Sequence, residues 1–158
     1  KGRKWSSTAT TDQCLADARD NHDDALAVAK EARDEALKGP RRAQEDAVDA
    51  AAKTKRLALQ TARKAHTVAV WAAQAAYDAS AKDAAALTAL QTAMTAADTA
   101  WRTAKSVAES AFQTARLAAN TAWQTAKLSA ENAFRTAKLA ADTAWQTAKT
   151  ACKPVAVQ

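Results

Sequence analysis

Between Arg41 and Lys153 the chain contains neither Gly nor Pro, and over much of that stretch it repeats itself every eleven residues. The clearest lines are TALQTAMTAAD from position 88, TAWRTAKSVAE from 99, SAFQTARLAAN from 110, TAWQTAKLSAE from 121, NAFRTAKLAAD from 132 and TAWQTAKTACK from 143. Three turns of α-helix hold about 10.8 residues, so an eleven-residue repeat returns each position to nearly the same helix face. A seven-residue repeat would wind the helices left-handed; an eleven-residue repeat keeps them straight or gently right-handed. The repeat therefore demands long helices and leaves little else open.

A weaker copy fills the N-terminal half: DALAVAKEARD from 24, EALKGPRRAQE from 35, DAVDAAAKTKR from 46, LALQTARKAHT from 57 and VAVWAAQAAYD from 68. The two series are out of phase, because ASAKDAAAL at 79–87 holds nine residues rather than eleven. Thr11 or Asp12 can cap a first helix, and Pro154 stops the last one. The expected organisation is an extended N-terminal arm at 1–10 and a first helical arm at 11–78, broken or kinked at 38–41. A phase slip and turn at 79–87, a repeat arm at 88–153 and a tail at 154–158 follow.

Composition explains what such helices can pack. Ala is about 30% of the chain, far above ordinary usage, and it is the best helix former. It buries little area, so a compact core of normal size is excluded. On a helical wheel Thr125, Ser129, Ala133, Ala126 and Ala130 form a small-residue sector. Phe134 borders it on one side, Thr121 and Leu128 on the other, while Lys127, Glu131 and Arg135 fill the back. A stripe of Ala lets helix axes approach to about 8 Å. Trp101, Phe112, Trp123, Phe134 and Trp145 are then expected to plug the groove.

Cys14 and Cys152 lie symmetrically about residue 83, inside the phase slip. A chain folding back there brings them together as an antiparallel hairpin of helices about 100 Å long. Gly39-Pro40, the strongest breaker pair, supports a rival layout: a turn there, one long helix over 41–153, and cysteines free to join separate chains. The hairpin is the expected layout. Two Cys in so simple a sequence point to a disulfide and an oxidising compartment, against the alternative of two buried thiols.

Little here could perform catalysis. His22 and His66 have no metal-ligand spacing, and acidic Asp20, Asp23 and Asp24 suit a helix N-terminal segment better than a cation site. With two Gly there is no phosphate-binding loop, and no nucleophile stands beside a base. An enzyme is not expected, and no cofactor or metal is assigned. Net charge is +6, spread along the chain, which permits a polyanion or membrane surface as partner; nucleic acid is not expected. Uncharged runs such as 84–97 fall short of the ~20 residues that span a bilayer. The first residue is Lys, as in a chain with its signal peptide removed, so an extracellular, cell-surface or periplasmic location is expected.

These repeats resemble those of hendecad coiled-coil proteins, which serve as stalks, spacers or fibre subunits. The C-terminal half is also similar to type I alanine-rich antifreeze repeats. Thr92, Thr103, Thr114, Thr125, Thr136 and Thr147 recur every eleven residues, mostly with Ala or Ser four and eight positions later. In that family a Thr-Ala-Ala face binds ice. Val107, the charges and the Trp residues depart from its pattern. The expected class is all-α: Ala-rich helices packed as an antiparallel hairpin or coiled coil, in an oligomer. The expected role is a self-assembling structural protein whose partner is itself. Two alternatives remain: ice binding through the Thr row, or a basic helical binder using Lys105, Arg116, Lys127, Lys138 and Lys149.

Overall fold

A computed structural model describes residues 7–152, with side chains from residue 11 onward. The basic arm containing Lys1, Arg3, Lys4 and Trp5, and the tail from Lys153 including Pro154, lie outside the described residues. Two helices account for nearly everything described: α1 (Ser7–Asp78, 72 residues) and α2 (Ala84–Ala151, 68 residues). They pack as an antiparallel hairpin, and no strand occurs among the described residues. Helix therefore begins at Ser7, inside the stretch expected to be an extended arm.

Gly39 and Pro40 neither turn nor break the chain, and α1 passes through both. The physical reason is packing. Leu37 and Pro40, both half-buried, take the places that half-buried Leu26 and buried Ala29 hold one repeat earlier. Contact along α2 outweighs the ~3 kcal/mol that proline costs a helix interior. The long-helix layout with its turn at Gly39-Pro40 is thereby corrected.

The reversal comes at Ala79–Asp83, within the phase slip and narrower than the 79–87 expected from the repeats. The Ser80 hydroxyl donates to the Tyr77 carbonyl at 2.6 Å and accepts from the Lys82 amide at 3.2 Å. Lys82 takes the left-handed conformation, φ 56°. Asp83 then caps α2, accepting from the Ala86 amide at 2.8 Å, the third residue of the new helix.

By contact, the chain forms two units: residues 1–42 with 123–158, here the cysteine unit, and residues 43–122, the turn unit. In the cysteine unit Ala29, Ala130, Ala141 and Cys152 are buried; in the turn unit Ala97, Ala108 and Ala119 are. On α2 these are the tenth positions of successive repeats. The aromatic third position and the Ala at the sixth flank them, half-buried in most repeats. On α1 the matching line is Leu15, Leu26 and Leu37 in one unit, and Val48, Leu59 and Val70 in the other.

The wheel centre needs correcting. Ala130 and Ala126 do face α1, but Phe134 lies within the contact rather than at its border, while Thr125, Ser129 and Ala133 are exposed. Two helices leave a gap beside an Ala that only a larger neighbour can close. The interface therefore rotates toward the aromatic side, and Leu128 is left 64% exposed on the outside.

Candidate functional site

Five successive repeats of α1, counted from residue 13 to residue 67, carry at the tenth position a half-buried residue with a polar head: His22 and Arg33 in the cysteine unit, Gln44, Lys55 and His66 in the turn unit. Each meets the eleventh position of a repeat on α2. His22 Nε2 lies 2.9 Å from Asp142, and Arg33 reaches Glu131 at 3.9 Å. In the turn unit the Gln44 amide donates to Asn120 at 2.6 Å, Lys55 pairs with Glu109, and His66 Nε2 lies 2.7 Å from Asp98. In all five pairs the two residue numbers sum to 164, so the rungs mark a single antiparallel register. Cationic or imidazole groups oppose carboxylates, and the one amide opposes an amide.

The aromatic row closes over the same groups. Arg33 sits 5.0 Å from the Phe134 centroid and Lys55 4.9 Å from that of Phe112. The His22 and Trp145 rings are 6.1 Å apart, and Lys149 covers the other part of Trp145 at 5.4 Å. A cation held between a carboxylate and a ring face is favourably placed for both. The hydrogen bond that His22 donates to Asp142, helped by the one to Asp23, raises the His22 pKa above 6.5. Hydrogen bonds from Lys55 and then Gln113 lower the Glu109 carboxyl below its usual 4.5.

Cys14 and Cys152 form a disulfide within the chain, with Cα atoms 5.8 Å apart. Beside it a cleft of about 480 Å³ opens between Ala18, Asn21 and Ala25 of α1 and Ala144, Ala148 and Ala151 of α2. Asp20 and Asp24 do not join His22 in a cluster, and no group suited to a metal ion occurs among the described residues.

All six Thr of the expected row are exposed, as are Ala96, Ala118, Ser129 and Ala140 four residues after Thr92, Thr114, Thr125 and Thr136. The hydroxyls of Thr92, Thr136 and Thr147 donate to backbone carbonyls one turn back at 2.9–3.0 Å. Every charged residue of α2 stands at the fourth, seventh or eleventh position of its repeat. The remaining outward arc carries Thr, Ala and Ser, with Leu117, Leu128 and Leu139 at 64–68% exposure. Lys105, Arg116, Lys127 and Lys138 lie exposed on the charged side, and Lys149, half-buried, is taken up by Trp145.

Reading the sequence alone brings out the cysteine pair, the aromatic row and the Thr row, but misses the rungs. Their signal was the eleven-residue column running from His22 to His66, mirrored by the column from Asp98 to Asp142. No helix of the described residues is long and apolar enough to cross a membrane. Compared with protein-family models, curated proteins and solved structures, the chain matches none.

Proposed function

We propose that the protein is a structural, self-associating helical subunit whose hairpins pack side by side through the uncharged outward arc of α2. Exposed area carries this reading. The chain presents 12135 Å² to solvent, whereas a compact monomer of 16.7 kDa presents about 7,600 Å². Among the described residues its buried core is six Ala and one Cys. So small a core leaves apolar surface over, and Leu117, Leu128 and Leu139 are the largest part of it on α2. With the disulfide inside the chain, association on this reading is noncovalent. Light scattering across a concentration series tests it. Mass should rise with concentration, be unchanged in order by salt, and fall back toward monomer in Leu128→Asp. A monomer at every concentration sinks the reading.

Ice binding is the second reading, supported by the exposed Thr row and by the absence of charge from its face. Each Thr is set about 16.5 Å from the next along the helix. Thermal hysteresis that disappears in Thr114→Tyr and Thr125→Tyr, with the protein monomeric, would favour it over self-association.

A further inference from the structure

The turn unit carries a second outward surface, on α1, that neither reading uses. From residue 50 to residue 77 α1 has no acidic residue and five basic ones, Lys53, Lys55, Arg56, Arg63 and Lys64. Only Lys55 is drawn inward, to Glu109. Along the face turned away from α2 run Lys53, Leu57, Lys64, Val68 and Trp71, spaced by four, seven, four and three residues. That spacing places them on one helical line. Leu57 is 50% exposed, Val68 63% and Trp71 71%, which makes Trp71 the most exposed large apolar side chain among the described residues.

We propose that this face of α1 docks on an anionic lipid surface, with Leu57, Val68 and Trp71 entering the headgroup layer and Lys53 and Lys64 meeting the negative headgroups. Charge complementarity is the first argument. Exposed cations with no carboxylate on the same stretch attract an anionic surface, each adding a modest increment close to it. The apolar line is the second. A polyanion such as nucleic acid is served by Lys and Arg alone, whereas a bilayer interface also accepts Leu, Val and above all Trp, whose ring is apolar and whose indole N–H keeps a polar partner. A second copy of the same face would set Lys53 and Lys64 near their like, with no acid there to answer them. Asp49 and Asp78 bound the patch, and no helix of the described residues is long and apolar enough to cross a membrane, so the contact proposed for this face is peripheral. It is independent of self-association through α2.

The test uses the oxidised full chain with phosphatidylcholine vesicles, with or without phosphatidylserine, read by co-sedimentation. Binding is expected only with phosphatidylserine and should weaken as salt rises. Trp71→Ala should lower the partition coefficient about tenfold. Lys53→Ala and Lys64→Ala should each lower it about fivefold, while Leu139→Ala on α2 leaves it unchanged. Circular dichroism checks that each variant stays helical. Quenching of Trp71 by brominated lipid, taken as the difference between wild type and Trp71→Phe, reads insertion directly. Absence of binding to phosphatidylserine vesicles overturns the proposal. Binding that ignores Trp71→Ala, or that a DNA duplex reproduces with the same insensitivity, also overturns it, since the face would then recognise charge alone.

Discussion

At the scale of single residues, Lys55 and Glu109 show how a solvated charge becomes a register mark. Either residue alone sits on a half-exposed helix surface, where an isolated ion pair contributes little. Opposed at every eleventh position, however, such pairs disfavour a register shifted by about one helical turn, which sets cations against the Lys, Arg and Gln of the seventh and fourth positions instead of a carboxylate. Lys55→Glu is therefore expected to lower the melting temperature by bringing two carboxylates together. Adding Glu109→Lys should restore most of the loss, and thermal melts of the two single variants and the double variant give the coupling. His22 adds a pH dependence of defined sign. Its folded pKa is raised above 6.5, mainly by Asp142, so its contribution is complete below that value and is lost as pH rises through the folded pKa. Melting temperature should fall over that window, and His22→Gln should reduce the slope. A slope identical in His22→Gln would remove His22 from the account. The rungs were hidden in the sequence because each half reads as an ordinary charged surface position. Opposing signs become visible only once the partner helix of the hairpin and its offset are known.

At the scale of the helix, the turn and the breaker pair traded roles. Gly39-Pro40 has the stronger local signal for a reversal, while Ala79–Asp83 has only a two-residue shortfall in the repeat count. The shortfall decides, because the apolar line of α1 stays in phase through Pro40 and ends at the slip. Local propensity says how much a residue costs a helix; repeat phase says whether long-range packing outweighs that cost. The hairpin and its turn were thus legible from periodicity, whereas continuity at Pro40 was not, since it depends on contact with α2. Two variants measure what α1 bears there. A Cβ at Gly39 would meet nothing within 4 Å, so Gly39→Ala should stabilise by up to about 1 kcal/mol. Pro40→Ala restores a missing amide donor at a position that Ala fills in other repeats, and should stabilise by about 3 kcal/mol. Urea unfolding measures both. Destabilisation by Gly39→Ala would mean that glycine is needed for a backbone shape other than regular helix.

For the whole molecule, the disulfide is the constraint that the repeats cannot supply. Rungs every eleven residues fix which residues face each other, but repeats this similar tolerate pairing shifted by a full repeat better than a varied core would. Cys14–Cys152, 138 residues apart in sequence, admits one closure only. It was legible because the two cysteines flank the phase slip almost evenly. In the chain-entropy description, closing so long a loop stabilises the folded chain by about 5 kcal/mol. Cys14→Ser is expected to lose most of that in urea unfolding, and wild type with reductant should lose a similar amount. The loss should begin locally. Amide exchange in the variant should rise first over residues 11–22 and 142–152, the ends of the two helices that the disulfide joins, where Leu15, the Ala faces and the His22–Asp142 rung beside Trp145 make the contact. Protection over 55–66 and 98–109 should change least, since the capped turn keeps those segments paired. If exchange instead rises uniformly, the hairpin unfolds as one unit and the disulfide acts only on the unfolded chain. If stability is unchanged, the rungs and the Ala line already select the register without it.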